Sequence, residues 1–303
     1  MYKQIEFPSQ GVTLRGRLYM PDNYSRQHSI IIMAHGFTTT ISGMTADRYA
    51  EKFHEAGFAV LLYDHRNFGI SDGNPRQELC FWIQARGYID SIDFVSTIPT
   101  ISKDNIVVWG TSLSSRESFI VGVIDDRVKA IINLVPAYGD DFPVVTSNED
   151  VYSFAKKTIL NNDIYKLPHT VSKPIPIVSS DQLGSPSALI EISAYRWFIE
   201  YGGRYGTNWK NYVSFLSITQ PENFHIGYFA VHIKVPVLMV IADNDEMSGA
   251  SSDVAIKIYN IIDSQKKKVM INGGHFGLLH YPSTLFNQVS ETQIDFLKEH
   301  FNN

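Results

Sequence analysis

The sequence contains almost no cysteine: Cys80 is the only one in 303 residues. A single cysteine excludes a disulfide within the chain and any zinc site built from several cysteines. Because Cys80 lies in the mostly apolar stretch QELCFWIQ, we expect a buried thiol without a catalytic role. The sequence thus gives no sign of a disulfide-stabilised or cysteine-rich metal protein.

The sequence also lacks an excess of positive charge and any long apolar run. Its 26 basic residues are outnumbered by 31 acidic ones, and a net charge of −5 predicts no nucleic-acid partner. No run of the ~18 apolar residues needed to cross a bilayer occurs, and the N-terminal stretch MYKQIEFPSQGVTLRG has no apolar signal core. We therefore expect a cytoplasmic chain that does not enter a membrane and that could form a homodimer.

Apolar residues make up 44% of the chain, and their patterning predicts a large sheet. YKQIEF and VTLRGRLYM alternate polar and apolar residues, which is typical of an antiparallel hairpin, here around Ser9–Gly11. Later apolar runs are continuous and rich in β-branched residues, which predicts strands buried on both faces. These runs are Ser29–Ala34, Phe58–Tyr63, Asn105–Trp109, Ala130–Val135, Val235–Ala242 and Lys268–Ile271.

Helical stretches separate these strands, and the alternation predicts an α/β protein with a mostly parallel, doubly wound sheet. The predicted helices are Asp47–Ala56, Cys80–Thr97, Ser114–Ile124, Ser251–Ile262 and Ser283–His300. The alternation stops over residues 138–230, a stretch too long for a simple loop. We therefore predict a core of residues 1–137 and 231–303 with an inserted, mainly helical cap or lid at 138–230.

The stretch VVWGTSLSSRES, residues 107–118, contains a candidate nucleophile at the end of a strand. A serine at a sharp strand-to-helix turn exposes its hydroxyl, provided that small residues stand two before and two after it. Ser112 meets this condition with Gly110 and Ser114. If Ser114 were the nucleophile, Arg116 would crowd the turn, and Ser115 would have large residues on both sides. The competing interpretation of Ser112 is a serine that only caps the helix.

A serine nucleophile needs a base and an acid, and both occur after later strands in the order nucleophile, acid, base. His275, in INGGHFG directly after the last predicted strand, is the predicted base, with His280 in reserve. After the strand VPVLMVIA we favour Asp245 as the acid over Asp243 and Glu246. Its role would be to orient the imidazole and to stabilise its charged form.

Two backbone N–H groups are predicted to bind the oxyanion that forms at the substrate carbonyl. Leu113 N–H stands at the start of the helix after Ser112, and Phe37 N–H follows the strand that ends in AHGF. This chemistry requires no metal and no organic cofactor, and we expect neither. In the nearby stretch YDHRNFGISDG we expect Asp64 and Arg66 to form a structural ion pair rather than a catalytic one.

With these residues in place, the sequence resembles the serine α/β-hydrolase superfamily. The resemblance lies in AHGF, YAEKFHEAGFAVLLYDHRNFGISDG, VVWGTSLS, VPVLMVIADNDE and INGGHFGLLHYP. Dienelactone-hydrolase-like and Xaa-Pro-peptidase-like hydrolases, including polyketide transferases and thiohydrolases, are the most similar members. The resemblance implies an α/β-hydrolase fold, with Ser112, Asp245 and His275 as the catalytic triad and Phe37 and Leu113 as oxyanion donors.

The function expected from the residues and the resemblance is cleavage of a carboxylic ester or thioester through an acyl-enzyme on Ser112. The expected partner is a small-molecule ester or thioester with an apolar acyl or aryl group. Alternatives are an acyltransferase that uses the same acyl-enzyme, a peptidase of the Xaa-Pro type, and a binding protein that kept only the fold.

The insertion is rich in aromatic residues, which have two interpretations. They could line an apolar substrate pocket, or they could form the hydrophobic core of the insertion itself. The residues concerned are Tyr195, Trp197, Phe198, Tyr201, Tyr205, Trp209 and Phe215.

Overall fold

The computed structural model describes residues 1–22, 27–143 and 145–301. Its strands are β1 (Tyr2–Ser9), β2 (Val12–Tyr19), β3 (His28–Ala34), β4 (Ala59–Tyr63), β5 (Glu78–Leu79), β6 (Ile101–Thr111), β7 (Val128–Leu134), β8 (His169–Val171), β9 (Ser214–Ile218), β10 (Val237–Ala242) and β11 (Lys266–Ile271). A large sheet has the order β1-β2-β4-β3-β6-β7-β10-β11. From β4 to β11 neighbouring strands are parallel, whereas β1 and β2 add an antiparallel edge.

The predicted hairpin at the N-terminus is present, and its turn explains its register. Gln10 and Gly11 connect β1 to β2 with φ of 47° and 77°. Positive φ at both central residues gives the turn a twist that matches two antiparallel strands. Ser9 consequently pairs with Val12, and every second residue of β1 faces the core.

The central strands are buried on both faces, as their continuous apolar runs predict. Every residue of β3, β4 and β10 is buried. The last strand differs from the prediction at its start, because β11 begins at Lys266 rather than at Lys268. The three lysines 266–268 pair with β10 along the outer edge of the sheet, a position where charged side chains discourage pairing with another chain.

Helices cover both faces of the sheet. They are α1 (Ala46–Glu55), α2 (Phe81–Val95), α3 (Leu113–Ile124), α4 (Glu149–Ile159), α5 (Ile192–Trp197), α6 (Ser252–Ile261) and α7 (Thr284–His300). Helices α1 and α7 share one hydrophobic layer, which contains Phe53 and Phe286. Helices α2, α3 and α6 contribute Tyr88, Phe119 and Ile258 to the layer on the other face. The predicted doubly wound α/β architecture is therefore confirmed.

The chain between β7 and β10 leaves the large sheet and forms a separate, mixed structure. It contains α4, α5, the π-helical turn Phe198–Gly202, the 3₁₀ turns Ile164–Lys166 and Ile226–His232, and the strands β8 and β9. Strand β9 lies in a stretch that the sequence predicts to be mainly helical. Because β9 pairs with β8 on one side and β5 on the other, tertiary pairing decides its conformation. The subdomain boundaries at 138 and 230 stay a prediction.

Cys80 is buried immediately before α2, where only 4% of its surface is exposed. Burial raises the pKa of its thiol to about 11. Because the thiolate is the reactive form of cysteine, this environment disfavours nucleophilic chemistry, in agreement with the sequence. Within the described ranges, no helix is both long and apolar enough to span a bilayer.

Two buried polar pairs lie where β3, β4 and α3 meet. His35 Nε2 is 3.2 Å from Asp64 Oδ1, and the Asp64 carboxylate also accepts the Ile41 and Ile70 N–H groups at 2.9 Å. The expected pair of Asp64 with Arg66 is therefore wrong. The Arg66 guanidinium instead donates to a backbone carbonyl and covers an aromatic ring, so Asp64 orders its loops through backbone N–H groups.

The second pair is formed by His65 and Glu117, whose Nε2 and Oε2 atoms are 3.2 Å apart. Both side chains are 1% exposed. Burial raises the pKa of Glu117 well above its ordinary value, and burial, followed by the nearby His35, lowers the pKa of His65. Both shifts favour the uncharged forms of the two side chains.

We predict that Glu117→Gln gains stability relative to the wild type as pH rises. Unfolded glutamate releases its proton near pH ~4.3, whereas folded Glu117 keeps it to a higher pH. Wild-type stability therefore falls with rising pH through that window, while glutamine binds no proton in either state. Urea unfolding at pH 5, 6.5 and 8 measures the difference. If the free energy of unfolding of Glu117→Gln instead fell relative to that of the wild type as pH rises, folded Glu117 would be ionised.

Candidate active site

Ser112 occupies a strained turn between the end of β6 and the start of α3. Its φ of 55° and ψ of −120° lie outside the regions that side-chain-bearing residues ordinarily adopt. Such a conformation costs on the order of 1–3 kcal/mol and persists only when surrounding contacts hold it. Ser112 N–H donates to the Leu134 carbonyl at the end of β7, and the Ser112 carbonyl accepts from Ala137 N–H.

The residues two before and two after Ser112 are small because strand and helix pass at contact distance. A Cβ at Gly110 would lie 2.3 Å from the carbonyl oxygen of Ser114. Ser114, fully buried, accepts the Thr111 N–H at 2.9 Å, and its hydroxyl lies 3.1 Å from the Ala34 carbonyl oxygen. Ser114 therefore links the ends of β3 and β6, which a glycine at this position could not do.

The structure brings Ser112, His275 and Asp245 into one hydrogen-bonded line. Ser112 Oγ is 2.9 Å from His275 Nε2, and His275 Nδ1 is 2.7 Å from Asp245 Oδ2. The side chains of His275 and Asp245 are only 4% and 3% exposed. An imidazole held between a hydroxyl and a carboxylate can accept the hydroxyl proton while the carboxylate stabilises the positive charge that results.

The alternative residues for the acid and the base make other contacts. Asp243 is exposed, and its N–H pairs with the Ile271 carbonyl at the end of β11. Glu246 uses its Oε2 to accept the backbone N–H of His275 at 2.9 Å. Although burial alone would raise it, hydrogen bonds lower the pKa of Glu246. His280, the reserve base, is exposed and packs against the ring of Tyr201.

The loop that carries His275 depends on two glycines and on contacts with other elements. Gly273 and Gly274 have φ of 156° and 67°, and a Cβ at Gly274 would lie 2.4 Å from Glu246 Oε2. Further along the loop, the Leu279 carbonyl accepts hydrogen bonds from Thr45 and from the Trp197 indole. The imidazole is thus positioned by Glu246, by the start of α1 and by the insertion.

The predicted oxyanion donors lie beside Ser112. In the part of the chain that the structure describes, neither Phe37 N–H nor Leu113 N–H donates a hydrogen bond within the protein. Gly36 packs so closely on the turn that a Cβ there would lie 2.8 Å from the Thr111 carbonyl and 3.2 Å from Ser112 Cβ. Two free N–H groups next to a serine hydroxyl can bind an oxyanion.

A mostly apolar cavity of about 180 Å³ opens at Ser112 and His275. The insertion supplies Leu189, Trp197 and Phe198 to its wall. Trp197 also stacks on Phe276, the residue after the candidate base, at a centroid distance of 5.3 Å. Trp197 and Phe198 thus line the cavity and also belong to a hydrophobic cluster, whereas Tyr205 is fully exposed.

A second groove of about 440 Å³ adjoins this cavity and shares Phe37, Leu113 and Arg116 with it. Strand β9 lines the groove, where Phe215 stacks on Phe37 at 6.1 Å. Sequence reasoning missed the position of Arg116 between the cavity and the groove and treated it only as a bulky residue near the turn. Its spacing of four residues from Ser112, one helical turn, is a signal that could have placed it at the site.

Side chains that can bind a metal do not form a cluster in the described part of the chain. Across 1–22, 27–143 and 145–301, no group of three or more His, Cys, Asp or Glu side chains is arranged to hold a metal ion. The chemistry available at Ser112 comes from the hydroxyl, imidazole and carboxylate described above.

Comparisons with known proteins agree with this architecture. A family model described as alpha/beta hydrolase fold matches residues 29–281. The chain is similar to the quorum-quenching protein AidA of Acinetobacter baumannii, with 26% identity over 97% of this chain and 93% of that protein. It is also similar to the thiohydrolase aneE of Aspergillus aculeatus, with 36% identity over 45% of this chain and 42% of that protein.

A solved structure of DcsB in complex with its substrate analogue has a TM-score of 0.74 to this chain. The likeness covers 99% of both chains at 21% sequence identity. At this level of identity the likeness concerns the fold, and it extends over the insertion as well as the sheet.

We predict that Ser114→Gly keeps the fold but loses about 1–2 kcal/mol, because the hydroxyl's hydrogen bonds are removed and glycine disfavours helix. Ser114→Leu should lose about 3 kcal/mol or more, because a bulky side chain enters a filled contact and leaves Thr111 N–H unpaired. Urea unfolding of both variants gives the comparison. Equal stability of the two variants would contradict the tight packing described here.

Proposed function

Because this chain belongs to the alpha/beta hydrolase fold family, we propose that it hydrolyses a carboxylic ester or thioester through an acyl-enzyme on Ser112. The observation that carries the proposal is the line from Ser112 Oγ through the His275 imidazole to the Asp245 carboxylate. The chain order of these residues and their position at the carboxyl ends of parallel strands support it.

The first half of the reaction forms the acyl-enzyme. His275 Nε2 takes the proton of the Ser112 hydroxyl as Oγ attacks the substrate carbonyl carbon. Asp245, which accepts the proton on His275 Nδ1, fixes the tautomer that leaves Nε2 free to act as the base. When the tetrahedral intermediate collapses, His275 gives the proton to the departing alcohol or thiol, and the acyl group stays on Ser112.

The backbone around Ser112 presents two free N–H groups that would stabilise the transition state. The carbonyl oxygen gains negative charge as it becomes tetrahedral, and Phe37 and Leu113 N–H would bind it. Since both groups belong to backbone fixed by Gly36 and by the start of α3, they need no reorganisation during the reaction.

The second half of the reaction releases the acid. A water molecule replaces the alcohol or thiol, His275 removes its proton, and the water oxygen attacks the acyl carbon. Collapse of the second tetrahedral intermediate breaks the bond to Ser112 Oγ, which regains its proton from His275. This completes the cycle with a carboxylic acid as product.

The proposed substrate is a small ester or thioester with an apolar acyl or aryl part. The walls contributed by Leu189, Trp197 and Phe198 favour such a group, since apolar and aromatic side chains are what small-molecule pockets mostly use. The name of the similar thiohydrolase supports testing thioesters beside oxygen esters. A cytoplasmic location is part of the same proposal.

We predict that Asp245→Asn lowers kcat for a p-nitrophenyl ester by about 10⁴-fold, because asparagine stabilises the wrong His275 tautomer. The matched control is Asp243→Asn, which removes the same charge two residues away at an exposed position and should change kcat by less than about 3-fold. A larger loss in the control than in Asp245→Asn would make Asp243 the catalytic acid.

We predict turnover in a panel of p-nitrophenyl esters of rising chain length and acyl-CoA thioesters, and slower cleavage of aminoacyl p-nitroanilides. Ser112→Ala, run in parallel, should lose about 10⁴-fold or more of the wild-type rate on the best substrate. Faster product release with an added alcohol or amine, together with its acylated product, would make the chain an acyltransferase. Preferred cleavage of the anilides would favour a peptidase, and no turnover at all would favour a binding protein.

A further inference from the structure

Arg116 is a positively charged side chain at the junction of the catalytic cavity and the adjoining groove. It lies on α3, four residues after Ser112, and both residues line the catalytic cavity. It lines the cavity together with Ser112 and His275, and it lines the groove together with Phe37 and Phe215. A ligand attached to Ser112 and extending into the groove would pass this guanidinium.

No carboxylate neutralises Arg116 within the described residues. Neither a hydrogen bond nor an ion pair links its guanidinium to another protein group there, and its Nε is buried without a partner. The ring of Phe81 packs beside it, with its centroid 5.2 Å from the guanidinium carbon. That ring fixes the side chain against the groove but cannot satisfy the donors of the guanidinium.

The adjacent Glu117 does not supply the missing charge. Its carboxyl faces His65 on the inner side of α3, and burial, which raises its pKa, favours the uncharged form. Burial lowers the pKa of Arg116 as well, but a guanidinium remains charged in proteins. The Arg116 side chain is half-buried, so its charge is partly removed from water without a carboxylate partner, and a ligand of opposite charge would offset that cost.

We propose that Arg116 binds a carboxylate of the substrate, so that the natural substrate is an ester or thioester that also carries a free acid group. The inference rests on the proposed serine hydrolase function and adds the chemical class of its substrate. The guanidinium presents a planar pair of donors that match the two oxygens of a carboxylate. One positive charge balances one carboxylate, whereas a phosphate dianion would leave excess negative charge in an apolar wall.

Because the cavity and the groove meet at Arg116, the proposed substrate has two parts. The uncharged part of the ester occupies the cavity walled by Trp197 and Phe198, and the acid group reaches Arg116 at the entrance to the groove. The acid group can be carried by the acyl part or by the departing alcohol or thiol. Two pairs of test substrates distinguish these arrangements.

The first pair is 4-nitrophenyl hydrogen glutarate and 4-nitrophenyl pentanoate, which differ by a carboxylate at the end of the acyl chain. The second pair is 4-carboxyphenyl butanoate and phenyl butanoate, which differ by a carboxylate on the departing phenol. The measured quantity is the ratio of kcat/KM for the charged ester to that for the uncharged ester at pH 7.5. In at least one pair, Arg116→Met should lower this ratio by about 10–100-fold.

The matched control is Arg196→Met, which removes an equal charge from an exposed position on α5 and should leave both ratios unchanged. Should the Met variant fail to fold, Arg116→Lys keeps a positive charge without the planar donor pair, and its ratio should fall by a smaller factor. Ratios that stay at the wild-type value in Arg116→Met, or in a folded Arg116→Lys, would overturn the proposal.

Binding of 5-phenylpentanoate to the Ser112→Ala protein separates this inference from the proposed function. Calorimetry should detect binding that is weakened at least about 10-fold when Arg116→Met is added. If that binding occurs and no ester is cleaved by the wild type, the carboxylate site stands and the hydrolase function fails. If esters are cleaved but neither the ratios nor the binding depend on Arg116, only the carboxylate site is wrong.

Discussion

The strained backbone at Ser112 is the constraint on which the rest of the site depends. A residue with φ of 55° and ψ of −120° holds its conformation only because β6, β7 and α3 pin it from three sides. This requirement explains why Gly110 and Gly36 have no side chain and why Ser114 is small. It also explains the fully buried strands below the turn, since a rigid sheet provides the fixed points that the turn needs.

Most ionisable side chains around the Ser112 turn are held in place by hydrogen bonds or by a partner side chain. Asp64 is bound by backbone N–H groups and by His35, while His65 and Glu117 form a buried pair whose pKa shifts favour the uncharged forms. Arg116 is the exception, a half-buried cation at the edge of the catalytic cavity. In a site with low dielectric, such a group has a strong effect on which ligand can enter.

Most of the fold could be predicted from the sequence, because continuous apolar runs and helical periods locate the buried strands and helices. The positions of Ser112, Asp245 and His275 could be predicted for a related reason: residues just after parallel strands meet at one edge of the sheet. Strand β9 could not, since its conformation comes from pairing with β5 and β8. The spacing of Arg116, one helical turn after Ser112, indicates its place beside the site, but the walls around it depend on how the insertion folds over α3, and no local pattern encodes that.

The central claim is that Ser112 is a nucleophile activated by His275. The most direct measurement is the intact mass of the protein after treatment with a fluorophosphonate, followed by peptide mapping of the modified residue. The account predicts one adduct per chain, on Ser112, with no adduct on Ser112→Ala and labelling at least about 10³-fold slower on His275→Ala. An adduct on another serine, or none on folded wild-type protein, would contradict it.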